Sequence, residues 1–124
     1  MILASRSSRR RDLLQLITPD FRVIPADVDE SLRDDETPDK FVSRLAEAKA
    51  RGVVSHAYVG EFIIGADTTV SAGGIIFNKP IDQNDFMGMM ELLSGNTHQV
   101  YSGICLLADG QADVRAVRTD VTFR

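Results

Sequence analysis

Arginines crowd the start of this chain. The stretch LASRSSRRRDLL holds Arg6, Arg9, Arg10 and Arg11, and no acid precedes Asp12. A helix opposes such a run at its first turn, because that end carries a partial positive charge and favours acids. A bound anion reverses the balance. Backbone N–H groups at a helix N-terminus attract phosphate, and forked guanidinium groups add bidentate contacts. Helical phase then sorts the three consecutive arginines. With Leu13, Leu16 and Ile17 as the buried side and Leu13 at zero, Arg9 falls at about −40°, Arg10 at about +60° and Arg11 at about 160°. Arg9 and Arg10 are expected to lean inward and Arg11 to face water. Ser5 and Ser7, in the turn before the helix, could add hydroxyl donors. A solvated basic turn paired with Asp12 has the same spacing, so both readings stand.

Other charged residues occupy positions that invite the same question. Lys49 lies on the shoulder of an apolar stripe formed by Phe41, Val42, Leu45 and Ala48. It either snorkels past the edge of the core or aims an ammonium into a cleft as a point charge for phosphate. Asp67 ends the apolar run FIIGAD among small neighbours. A carboxylate at a strand end can bind a metal through oxygen, orient a water as general base or simply cap a turn. Lys79, before Pro80, is either a phosphate ligand or a turn lysine. Asp27, Asp29 and Glu30 form an acidic cluster, usually a solvated loop, although Mg²⁺ bridged to phosphates needs only one or two carboxylates. His98 has no second histidine near it in sequence, His56 is distant, and Met89 and Met90 read as core. No P-loop, GxSxG or dinucleotide fingerprint is present.

These side chains need a frame. MILAS reads as a short strand, and residues 7–17 as a helix with Ser7 or Ser8 as N-cap and Pro19 beyond its end. FRVIPADVDE reads as a strand running into an acidic loop. DETPDKFVSRLAEAKARG reads as a helix with Pro38 at its start and Gly52 at its end. EFIIGADTTVSAGGIIFNKP predicts two strands about a Gly73-Gly74 turn, and IDQNDFMGMMELLSG a helix closed by Gly95. THQVYSGICLLADG and ADVRAVRTDVTFR predict two long strands joined at Asp109-Gly110. Helices and strands alternate first and strands pair locally later, which implies an α/β domain with a mixed sheet flanked by helices.

The 124 residues suit one domain, residues 1–124. A net charge of −4 argues against a broad surface for nucleic acid. No apolar run approaches the roughly 18 residues that span a bilayer. Cys105 is the only cysteine, which excludes an intrachain disulfide and a thiolate zinc cluster. A cytoplasmic protein that engages neither nucleic acid nor membrane is expected.

The blocks LASRSSRRRDLL, VDES, RLAEAKA, GADTTV, NKP, LSGNTHQVYSG and TDVTFR occur in the order seen in Maf proteins. The chain resembles that family, of the Maf/Ham1 (ITPase-like) nucleoside triphosphate pyrophosphatases, over nearly its whole length. GADT and THQVYSG look like the branch acting on dTTP and UTP. The resemblance implies hydrolysis between the α- and β-phosphates to a nucleoside monophosphate and pyrophosphate, with Mg²⁺ or Mn²⁺ as cofactor. It implies that Ser5, Arg9 and Arg10 hold the triphosphate and that Lys49 and Lys79 add positive charge. It also implies that Glu30 assists metal or water, that Asp67 is the base or a metal-linked carboxylate, and that the chain forms a homodimer. Two departures stand out. Ser8 replaces the proline usual before the arginine pair, and the chain stops at TDVTFR, short of the family's C-terminal third. A truncated nucleotide-binding protein with a regulatory role in septum formation, and an inactive fragment, are the competing readings.

Overall fold

The computed structural model describes residues 1–72, 75–77 and 97–122. Among them run β1 (Ile2–Ala4), α1 (Ser8–Gln15), β2 (Arg22–Ile24), α2 (Pro38–Arg51), a short 3₁₀ turn (Val54–His56), β3 (Ile63–Ala72), β4 (Ile75–Phe77), β5 (Thr97–Ala108) and β6 (Gln111–Thr122). They build a six-stranded sheet in the order β2-β1-β3-β5-β6, with β4 paired to β3. β1 is parallel to β2 and β3, whereas β4, β5 and β6 pair antiparallel. The expected mixed sheet is therefore present, parallel where α1 and α2 intervene and antiparallel among the later strands. The β5–β6 turn has positive φ at Asp109 (51°) and Gly110 (78°), the tight reversal that matches strand twist. β3 and β4 close at Ala72↔Ile75. The helix expected at IDQNDFMGMMELLSG and the Gly73-Gly74 turn lie outside the described residues.

α2 begins as its sequence dictates. Thr37 stands at the N-cap position without a side-chain capping bond, Pro38 takes the first turn where a missing N–H costs nothing, and Asp39 meets the positive end of the dipole. Its buried residues are Phe41, Val42, Leu45, Ala46, Lys49 and Ala50. The reason lies in the sheet. A Cβ on Gly65 of β3 would stand 2.1 Å from the Ala46 carbonyl oxygen, and one on Gly103 of β5 would stand 2.3 Å from that of Val42. The two missing side chains let the helix backbone settle on the sheet. That contact turns Ala46 and Ala50 inward and leaves Ala48, expected in the stripe, only half-buried. Around it pack Ile2, Ala4, Ile63, Cys105 and Leu107 in one apolar cluster, and Phe41, Val42 and Leu45 in another.

α1 departs from the expectation. It is eight residues long and buries none of them. Leu13, Leu16 and Ile17, expected inside, are 57%, 83% and 84% exposed. The helix is fastened by its N-terminus and by Arg10, not by an apolar stripe. Its half-buried residues are Arg10 and Leu14, and among the described residues nothing covers the opposite side. No described helix is long and apolar enough to cross a membrane.

At the far end of the sheet, Arg22 donates to Glu61 from Nε (3.3 Å) and Nη2 (2.5 Å) and to the His56 carbonyl (2.8 Å), and its guanidinium lies 4.5 Å from the Tyr58 ring centre. This clamp joins the start of β2 to the turn before β3.

Gly103→Ala is expected to cost about 1–3 kcal/mol, because backbone rather than a flexible side chain must move; urea denaturation measures it, and a neutral result would refute the packing account. The Arg22 hydrogen bonds hold the Glu61 carboxyl down to about 2, against an ordinary 4.5. Its folded-state value lies below the unfolded one. The stabilisation is thus complete above about pH 4.5 and lost as pH falls toward about 2. The melting-temperature gap between the unaltered chain and Glu61→Gln should narrow over that window. A gap independent of pH would count against the clamp.

Candidate functional site

Strand order places a crevice before any side chain is considered. β1 lies between β2 and β3, so the connections leaving the ends of β1 and β2 run to opposite sides of the central strand. Ligands of open α/β sheets collect at such a reversal, beyond the strands' carboxyl ends. β1 stops at Ala4, paired with Gly65, while β3 continues to Ala72. Asp67, expected at a strand end, is therefore in mid-strand, but it stands just past the end of its neighbour.

The turn after β1 is preorganised. Ser5 is buried and its Oγ accepts from the Ser7 N–H at 3.0 Å. Ser7 is the N-cap of α1, its Oγ accepting from the Arg10 N–H at 3.3 Å. The Arg10 guanidinium then donates to the Thr68 Oγ at 3.2 Å. Thr68 is on the sheet face opposite that of its buried neighbours Asp67 and Thr69, so α1 approaches from the side that α2 does not cover.

A cavity of about 500 Å³ opens at this turn, lined by Ser5, Arg6, Ser7, Ser8, Arg9 and Arg10 from one side and by Ala26, Asp27, Val28, Glu30 and Lys49 from the other. Arg9 and Arg10 both line it and Arg11 does not, but Arg9 is exposed and so is the apolar side that set the helical phase, so the phase argument does not account for this placement. Four cations line it against two carboxylates. The free N–H groups of a helix start add to the attraction for an anion.

Lys49 does not snorkel. It is 9% exposed, inside the stripe rather than on its shoulder. Its Nζ lies 2.8 Å from Asp67 Oδ1, with both side chains buried, and 3.2 Å from Glu30 Oε1, a carboxylate half open to solvent. The contact of α2 with Gly65 and Gly103 brings Lys49 within reach of Asp67, two residues beyond Gly65 and register partner of Gly103. Glu30 thus separates from its acidic neighbours. Asp29 turns back on Ser31, whose hydroxyl lowers its proton affinity, and Asp27 meets Arg6 at 3.8 Å in solvent.

The structure therefore gathers Ser5, Arg9, Arg10, Glu30 and Lys49 around one cavity, with Asp67 behind Lys49. Lys79 lies outside the described residues. Sequence reasoning missed Thr68 and Arg6. Strand alternation within GADTT would have put Thr68 opposite Asp67, but nothing local names its partner. Among the described residues no group of three or more His, Cys, Asp or Glu side chains is placed to hold a metal ion. Two carboxylates nevertheless converge on one cation. That number suffices for a Mg²⁺ or Mn²⁺ ion whose remaining oxygens come from phosphate and water, so Glu30 and Asp67 fit the part.

A family model described as Maf-like protein matches residues 1–124. The chain is 43% identical over 122 residues to the dTTP/UTP pyrophosphatase of Latilactobacillus sakei, covering 98% of this chain and 67% of that protein. It is 46% identical over 127 residues to the dTTP/UTP pyrophosphatase of Caulobacter vibrioides, covering 100% and 65%. The chain thus spans about two thirds of the length of these relatives. The structure of the Staphylococcus aureus Ham1 protein superposes with a TM-score of 0.61 at 16% identity, over 96% of this chain and 69% of that one. The fold is the α/β one that the sequence pattern implies, of the Ham1 type that the resemblance implies.

Lys49→Met is expected to destabilise the chain by about 3 kcal/mol, because Asp67 is left buried without its counter-ion. Adding Asp67→Asn removes the orphaned charge, so the double variant should be more stable than Lys49→Met alone. Denaturation of the four species measures this, and simple additivity would refute a coupled pair.

Proposed function

The chain belongs to the Maf family, and from that premise we propose that its site takes a pyrimidine nucleoside triphosphate, dTTP or UTP, and hydrolyses it to the nucleoside monophosphate and pyrophosphate. The observation that carries this reading is the pairing of Lys49 with Asp67 and Glu30 at the edge of a cavity walled by Arg9 and Arg10. The names of the related proteins support the choice of substrate.

The residues divide the work by charge. Arg9, Arg10 and the N–H groups at the start of α1 bind phosphate oxygens, with the Ser5 hydroxyl beside them. Arg10 is held in place by Thr68 and loses little freedom on binding. Lys49 offers its ammonium to the oxygens of the phosphorus under attack. Phosphoryl transfer is chiefly positioning and neutralisation of charge, which is why cations from two separate segments meet here. Asp67 accepts the proton of the attacking water as the oxygen–phosphorus bond between the α- and β-phosphates breaks. Glu30 and Asp67 would hold Mg²⁺ or Mn²⁺, which supplies further neutralisation of the phosphate oxygens when bound. Lys79 adds a cation from a third segment on this reading, and the protein is a cytoplasmic homodimer.

A second reading, binding of the nucleotide without turnover, draws on one observation. Asp67 stands behind Lys49 and is bonded to it rather than lining the cavity.

Pyrophosphate release from dTTP and UTP with Mg²⁺ or Mn²⁺ separates the two. Turnover is expected, with Arg10→Ala and Asp67→Asn each lowering kcat by about 100-fold or more. Calorimetric binding without product would select the second reading, and neither binding nor release would overturn both.

A further inference from the structure

We propose that Arg44 is a positioning residue for Glu30, fastening the loop that carries this carboxylate onto α2. The inference rests on the triphosphate reading above. Arg44 stands on α2 ahead of Lys49, and it does not reach the cavity. Its Nε donates to Glu36 at 2.7 Å, and its Nη2 donates both to Glu36 at 2.9 Å and to the carbonyl of Ser31 at 2.9 Å. One planar fork therefore grips the loop between Glu30 and α2 at two points. The guanidinium also lies over the Phe41 ring, 5.7 Å from its centre, which anchors it to the apolar cluster beneath.

The loop has little else to hold it. Residues 29–36 form no strand or helix and almost all are exposed. Glu36 is the exception: its side chain is 9% exposed, it accepts from the Arg33 N–H, and the Arg44 hydrogen bonds keep its carboxyl below its ordinary range. Glu30 precedes the gripped Ser31 by one residue. A carboxylate that far out on a loop meets Lys49 at 3.2 Å only where the following backbone is held. A lysine in place of Arg44 is a point charge without the planar fork that grips both Glu36 oxygens while Nη2 also reaches the Ser31 carbonyl. The fork is thus what this position needs.

Hydrogen exchange and kinetics on the full chain test this together. In Arg44→Ala the hydrogen-bonded loop amides of Ser31, Arg33 and Glu36 are expected to exchange at least about tenfold faster, while those of β1 and β3 keep their rates. Unchanged exchange in the loop overturns the proposal whether or not nucleotide is turned over. With dTTP and Mg²⁺, Arg44→Ala is expected to lower kcat about tenfold, and Arg44→Ala/Glu30→Ala to be no slower than Glu30→Ala alone. Additive losses would mean that Arg44 acts other than through Glu30, and would also overturn it. Should Arg44→Ala fail to fold, Glu36→Gln cuts the same pair with little change of shape and is expected to give the same local loss of protection. Absence of turnover in the unaltered chain counts against the proposed function, and loop exchange then decides the inference by itself.

Discussion

The close approach of α2 to the sheet governs most of what this molecule can do. Gly65 and Gly103 lie on the neighbouring strands β3 and β5, two residues out of register, and their missing side chains admit the helix backbone. Helix and sheet therefore have one way to fit. The fit fixes the rotation of α2, selects Ala46 and Ala50 as its contact residues, and carries Lys49 to the only carboxylate buried on that face among the described residues. A methyl group at either glycine would lift the helix and separate the ion pair. Packing density here sets electrostatics, because an ammonium is tolerated at that depth only where its partners are within hydrogen-bond reach.

The charge arrangement divides between two faces of the sheet. From one side α1 presents its N-terminus, with Ser7 as cap and Arg10 braced on Thr68. From the other side α2 presents Lys49 and, through Arg44, the loop bearing Glu30. The two meet at the end of β1, where the short central strand leaves room. Asp67 and Glu30 hold the Lys49 ammonium at the cavity edge, which on the proposed reading leaves it already placed for a phosphate. The cost of burying the ammonium is met within the fold by Asp67, not by the ligand. Such preorganisation is what makes cations effective at phosphates, since no dipole must be reoriented when charge develops.

The later part of the chain does different work. β5 and β6 form a long antiparallel ribbon closed by the turn at Asp109-Gly110, and β5 supplies Gly103 and the apolar residues Cys105 and Leu107 to the core. These strands add no side chain to the cavity. With β3 they provide the bed on which α2 lies. The side chains that line the cavity come from the turn after β1, α1, the loop after β2 and α2.

The chain's own pattern determined the elements. Proline and glycine bracket α2, serine caps α1, Asp109-Gly110 closes the ribbon, and each signal acts within a few residues, so it could be read without the fold. The resemblance located Ser5, Arg9, Arg10, Lys49 and Asp67, and spacing alone had already raised them as candidates. Tertiary structure decided the rest, because burial is a relation between segments distant in sequence. Apolar spacing marked Leu13, Leu16 and Ile17 for the core, yet no described element covers them. The same spacing set Lys49 at the margin of its stripe, whereas glycines on two other strands rolled it inward. Glu30 could not be told from Asp27 and Asp29 by its neighbours, and only its reach to Lys49 separates it. Sequence carries local propensity and charge. Which charges meet depends on where two backbones can touch, and here that was set by the absence of two side chains.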